Sequence, residues 1–122
     1  MSLLTHLSDI DELEAAIAES RERPVLVFKH SRTCGVSAEA LDELRTHLER
    51  AEAGVSYKMI TVQSHRRVSD EATVRFGIRH ETPQAILLRD GRPVSNASHF
   101  RITANHLDRM VLSSPGSRVP AS

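Results

Sequence analysis

Apolar residues along this chain recur at two spacings, and the switches between them mark the elements. Ile10, Leu13 and Ile17 fall three and four apart among acidic neighbours, with Ser8 ahead of them. That pattern predicts a capped amphipathic helix over residues 9–20. Pro24 closes the turn after it. Val25 to Phe28 are then four consecutive apolar residues, bounded by polar Lys29 to Thr33, which predicts a strand buried on both faces. Beyond Cys34, Ala40, Leu41, Leu44 and Leu48 return to helical spacing, to about Glu52, with Gly54 as the C-cap. Val55 to Val62 alternates as a strand does. Val68, Ala72 and Phe76 mark a short helix that Gly77 stops. Gln84 to Arg89 and Arg92 to Ala97 are extended runs on either side of Asp90-Gly91, a strong hairpin signal. Thr103 caps a last helix over Ala104 to Leu112, with Ile102 and Leu107 as its hydrophobic staple.

The predicted order is α-β-α-β-α-β-β-α. A βαβ unit needs parallel strands joined by a right-handed crossover, and a later hairpin adds antiparallel strands at one edge. The sum is a thioredoxin-like three-layer α/β/α sandwich with a mixed, mainly four-stranded sheet. In such a fold the residue that opens the second helix faces a proline that opens the hairpin. Cys34 and Pro83 stand at those places, which predicts a cis Thr82–Pro83 bond. Residues 1–112 are expected to form one domain, and the polar stretch 113–122, with Pro115, Gly116 and Pro120, a disordered tail.

Composition narrows the chemistry. Lysine plus arginine and aspartate plus glutamate number 16 each, with no long basic block, so nonspecific nucleic-acid binding has no electrostatic support. No stretch approaches a membrane span and the first ten residues lack a secretory pattern, so a cytoplasmic location is expected. The chain has one cysteine, which rules out an internal disulfide and a structural zinc site built on several thiols. Any redox chemistry must use an outside thiol. A thiolate in the first turn of a helix is favoured by the helix dipole and nearby N–H donors, so Cys34 is a candidate nucleophile.

Three ordered segments carry a family resemblance: Phe28 to Ser37 around the cysteine, His80 to Gln84 around the proline, and Ser98 to Thr103 after the hairpin. Together they resemble the signature segments of the monothiol bacilliredoxins of the YtxJ type, over roughly Leu7 to Leu112. Gly35 and Val36 stand where that family usually has proline and isoleucine, and Thr82 where it usually has serine. The resemblance implies a thiol–disulfide oxidoreductase with no tightly bound cofactor or metal. Bacillithiol would be its co-substrate, and bacillithiolated client proteins its partners. Cys34 would take bacillithiol onto its sulfur. Ser37, where a dithiol enzyme keeps a resolving cysteine, would leave that adduct to an external thiol. The Ser37 hydroxyl would hydrogen-bond the thiolate. Lys29 and Arg32 would meet the malate carboxylates of bacillithiol, Thr33 and Gly35 would line the thiol's approach, and the backbone at Thr82 and Pro83 would pair with the client. A monomer or weak dimer is expected.

Plainer readings stand beside these. A lone cysteine is commonly a small buried hydrophobe, but Lys29, His30, Ser31 and Arg32 ahead of Cys34 argue for a solvent-facing loop. Ser37 is equally read as an ordinary first-turn polar residue. His30 is read as structural, and the scattered His80 and His99 as poor metal ligands. Lys29 and Arg32 are solvated charges by default. Two other functions fit Cys-Gly-Val-Ser: an iron–sulfur carrier like the monothiol glutaredoxins, or a non-catalytic adaptor with an inert thiol. Against the carrier, Val94 to His99 lacks the glycine pair that those proteins place after the hairpin.

Overall fold

The computed structural model describes residues 4–51 and 54–112. Along them run β1 (Leu4–His6), α1 (Ile10–Glu19), β2 (Val25–His30), α2 (Gly35–Arg50), β3 (Ser56–Thr61), α3 (Arg66–Phe76), β4 (Gln84–Arg89), β5 (Arg92–Ser98), a 3-10 turn (His99–Arg101) and α4 (Ala104–Leu112). The strands make one sheet in the order β1-β3-β2-β4-β5. β3 runs parallel to β1 and β2, β4 antiparallel to β2, and β5 antiparallel to β4.

β2 is central, and the pleat sends its side chains alternately to the two faces. Leu26 and Phe28 join one core with Leu41 and Leu44 of α2 and Leu107 and Met110 of α4. Val25 and Val27 join the other with Leu13 and Ile17 of α1 and Val68 and Phe76 of α3. Each face of the sheet therefore carries two helices, and the expected three layers follow.

Local chemistry departs from the sequence reading at several points. The sheet has a fifth strand, because Leu4–His6 pairs in parallel with Tyr57–Met59; three residues with no alternation gave no signal. β2 runs on through Lys29 and His30, which pair with Ile60 and Thr61. Polar residues stay in a strand when they have buried partners, which sequence alone does not display. Asp9, not Ser8, caps α1: its Oδ1 accepts from Glu12 N at 2.8 Å, while Glu12 Oε1 accepts from Ser8 N at 2.5 Å. α2 ends at Arg50, and Ala51 is already extended at ψ 139°, so Gly54 lies beyond the cap position. The expectations for Glu52 and for 113–122 fall outside the described residues.

The remaining turns form as read. Gly77 ends α3 at φ +65°, a left-handed conformation that glycine adopts without cost. Asp90 and Gly91 turn the hairpin with φ of 54° and 81°. A Cβ on Gly91 would lie 2.7 Å from Arg21 Nη2, the far end of an exposed side chain that can swing away, so it is the positive φ rather than space that favours glycine there. Thr103 Oγ1 accepts from His106 N at 3.1 Å at the start of α4, with Ile102 and Leu107 buried beside it. The Thr82–Pro83 bond is cis.

Candidate active site

β2 and β4 are antiparallel, with Phe28 opposite Ala85 and Lys29 opposite Gln84. The loop leaving β2 and the loop entering β4 therefore emerge at the same end of the sheet, and that register brings the Cys34 loop and Pro83 together. Cys34 occupies the N-cap position of the 16-residue helix α2, half-buried, with no capping hydrogen bond from its side chain. Its carbonyl accepts from Ala38 N at 3.1 Å. The thiol thus sits where the helix dipole favours negative charge and is not consumed by a cap.

The loop before it is clamped from a neighbouring strand. Gln63, just past β3, accepts from Arg32 N at 3.1 Å and donates from Nε2 to Ser31 Oγ at 2.7 Å and Thr33 Oγ1 at 3.2 Å. Nothing in the sequence singles Gln63 out. The signal that could have found it is topological: it leaves β3 at the same end as Cys34 leaves β2, where loops build sites in parallel sheets.

Ser37 is fully buried beneath the cysteine. Its Oγ accepts from Ser31 N at 3.0 Å and lies 2.9 Å from His30 Nδ1. The hydroxyl's partners are thus Ser31 and His30, and the expected bond to the Cys34 thiolate is not among its contacts. Burial, and then the positive charges of Arg45 and Arg32, hold the His30 imidazole below its ordinary pKa, so the ring is neutral at pH 7. The structural reading of His30 holds, and the bond to Ser37 gives it a definite role. The pair ties the end of β2 to the first turn of α2.

Lys29 is a correction. It is 0% exposed, and its Nζ donates to Thr73 Oγ1 at 2.8 Å and His80 Nδ1 at 3.2 Å. An ammonium so enclosed is neither a solvated charge nor open to a ligand's carboxylates. Burial lowers its pKa to about 8, against the pull of Asp70. Burial also lowers the pKa of His80, with Lys29 pushing the same way. Lys29 therefore ties β2 to α3 and to the segment that leads into Pro83. Of the other expected contacts, Arg32, Thr33 and Gly35 are exposed around Cys34, Thr82 is half-buried and Pro83 is buried. The Pro83 carbonyl accepts from His99 N at 3.0 Å, which brings in the third signature segment. Among the described residues, no three His, Cys, Asp or Glu side chains are grouped to hold a metal ion. No described helix is long and apolar enough to cross a membrane.

A cysteine opening a helix, a cis proline opening the neighbouring strand, and serine three residues past the thiol define a thioredoxin-fold oxidoreductase of the monothiol type. The family model of the monothiol bacilliredoxin BrxC matches residues 5–107, and the chain belongs to that family. A solved structure described as a candidate oxidoreductase with a thioredoxin fold is 34% identical, covering 88% of this chain and 92% of its own, at a TM-score of 0.78. The Fasciola hepatica thioredoxin shares the fold at 17% identity and a TM-score of 0.73, over 90% of this chain and 98% of its own. A Halobacterium salinarum thioredoxin does so at 17% identity and a TM-score of 0.73, over 96% and 94%.

Proposed function

We propose that this monothiol enzyme removes bacillithiol from mixed disulfides on client proteins through Cys34, in the cytoplasm. The observation that carries the reading is that the chain's one cysteine is partly open at the start of α2, while the resolving position holds the buried, hydrogen-bonded oxygen of Ser37. The Cys34 thiolate attacks the bacillithiol sulfur of the mixed disulfide. The client–bacillithiol S–S bond breaks, a Cys34–bacillithiol S–S bond forms, and the client thiolate leaves and takes a proton from water. A second bacillithiol thiolate then attacks the adduct at its bacillithiol sulfur, giving bacillithiol disulfide and free Cys34 thiolate. The client is reduced, one free bacillithiol is consumed and ends in a disulfide with the bacillithiol taken from the client, and the enzyme returns unchanged. Ser37 cannot compete in the second step, because an oxygen forms no disulfide. In this reading Arg32 is the surface cation for a bacillithiol carboxylate, Thr33 and Gly35 line the thiol's approach, and the backbone at Thr82 and Pro83 faces the client chain.

Intact-protein mass spectrometry after parallel exposure to bacillithiol disulfide and glutathione disulfide tests this. The expected result is one bacillithiol mass on Cys34, formed faster than the glutathione adduct, reversed by excess bacillithiol and absent in Cys34→Ser. Equal labelling by both disulfides, or none, would overturn the assignment of bacillithiol.

A further inference from the structure

Cys34 and Pro83 stand at one end of the sheet. At the other end α2, α4, β3 and the last residue of β4 border a cavity of about 370 Å³ that the proposed reaction does not use. The 16 residues of α2 put it about 24 Å from Cys34. Its walls are mostly apolar: Pro24 ahead of β2, Ala51 and Val55 between α2 and β3, and Val111 and Leu112 at the end of α4. That volume and that lining suit a small molecule with an apolar body.

The polar groups at the cavity are of two kinds. His47, Tyr57, Asp108 and Arg50 are bonded to one another, and Arg50 Nη2 also donates to Asn105 Oδ1 at 3.0 Å. Arg89 is not engaged in this way. Ala85 and Leu87 enter the core beneath α2 and α4, and the alternation of β4 puts Arg89 on that same face. Its Nε is buried without an acceptor, and no ion pair forms at Arg89 among the described residues. A buried N–H left so costs free energy that a bound acceptor restores. On its other side Arg89 borders a polar cleft of about 180 Å³, where Arg21 and Arg23 offset Glu22 and Asp90. Asp108 offsets Arg50 in the larger cavity, so Arg89 carries the surplus charge of both. The complement is one negative charge.

We infer that this cavity binds a small carboxylic acid with an aliphatic body, its carboxylate on Arg89 and its chain against Val55 and Val111. The Nε–Nη edge of a guanidinium presents two parallel N–H groups, which match a carboxylate. A phosphate monoester carries nearly two charges at neutral pH and is matched less well by one surplus cation. α2 and α4 both end at the cavity, and the negative ends of their dipoles keep the anionic group on the β4 side, at Arg89. The inference does not rest on the bacillithiol reading, because nothing bound here touches Cys34.

Titration of the full-length protein with octanoate, 1-octanol, acetate and octyl phosphate, followed by backbone amide NMR shifts, tests it. Octanoate is expected to shift the amides of Ala51, Val55 and Val111. It should bind about tenfold tighter than 1-octanol, for the charge-assisted contact, and at least about tenfold tighter than acetate, for the buried chain. In Arg89→Met octanoate and 1-octanol should bind alike. Because that readout is a ratio within one protein, partial loss of folded protein does not mimic it. Ala51→Leu, which fills the cavity and leaves Arg89 in place, should weaken octanoate about tenfold or more. No shift at those amides, acetate binding as well as octanoate, a preference for octanoate retained in Arg89→Met, or octanoate binding unchanged in Ala51→Leu would each overturn the site. Octyl phosphate binding tenfold tighter than octanoate would overturn the carboxylic acid and assign a doubly charged head instead.

Discussion

Single residues at this site are set by what lies around them more than by their type. Lysine normally loses its proton near pH 10.5, and burial brings Lys29 to about 8. Between those values the unfolded chain binds a proton that the folded chain does not, so stability rises with pH there. Below pH 8 both forms are charged and the penalty is fully present, on the order of 3 kcal/mol. Lys29→Met is therefore expected to remove the rise in stability that the wild type shows between pH 8 and 10.5, as read by urea unfolding at a series of pH values. An equal rise in both proteins would refute the assignment. Ser37 makes the opposite case, a buried polar group whose partners are in place. Ser37→Ala strands Ser31 N–H and a His30 ring nitrogen away from water and is expected to cost about 1–3 kcal/mol. It also frees the loop that carries Cys34, so alkylation of the thiol by iodoacetamide should change along with the unfolding midpoint.

Among the elements, α2 is held at its far end by another chain of polar groups, buried at His47 and Tyr57 and open to water at Asp108 and Arg50. His47, 1% exposed, lies 2.6 Å through Nδ1 from Asp108 Oδ1 of α4 and 2.7 Å through Nε2 from Tyr57 OH of β3. Arg50 Nη2 donates to Asp108 Oδ2 at 2.8 Å. Burial, with Asp108 adding to it, pushes the Tyr57 hydroxyl up to about 12, so it stays protonated. The bond to His47 and then the Arg50 guanidinium hold the Asp108 carboxyl below its ordinary range. A carboxyl depressed on folding contributes stability that is complete above its unfolded pKa and is lost as pH falls through the folded one. Asp108→Asn should therefore flatten the loss of stability below about pH 4. Asp108→Ala at pH 7 should cost about 1–3 kcal/mol, since it leaves one ring nitrogen of a buried imidazole without its partner. Thermal unfolding of the two variants across pH 2–7 checks both. This chain of bonds was not legible in the sequence, because His47 and Asp108 are 61 residues apart and each sits at an unremarkable helical position.

Over the whole molecule, the parts read correctly are those that local chemistry decides. The Asp90-Gly91 turn, the Gly77 stop, the Thr103 cap and the helical spacing of Ala40, Leu41 and Leu44 each declare themselves within a few residues. The order of these elements then leaves few topologies, and Pro83 falls where the fold requires it. What the sequence hides depends on long-range pairing. β1 exists because Tyr57 to Met59 offer it an edge. Lys29 is strand rather than loop because Thr73 and His80, 44 and 51 residues further on, supply its partners. Gln63 acts on the Cys34 loop across 30 residues or more, and nothing near it in sequence says so. The candidate nucleophile was legible; the frame that holds it was not.

The buried oxygen at position 37 has a consequence for the proposed cycle in time. With no second thiol, the enzyme cannot resolve the adduct by itself: each molecule opens one mixed disulfide and then halts until an outside thiol arrives. Mixed with bacillithiolated substrate in the absence of free bacillithiol, it should release one client thiol per Cys34 and stop. With bacillithiol added, the steady rate should climb in proportion to its concentration until the first step limits. A stopped-flow record without that unit burst would show that another group resolves the adduct. With it, repair runs only as fast as the cell's pool of reduced thiol allows, and the enzyme's output is a reading of that pool.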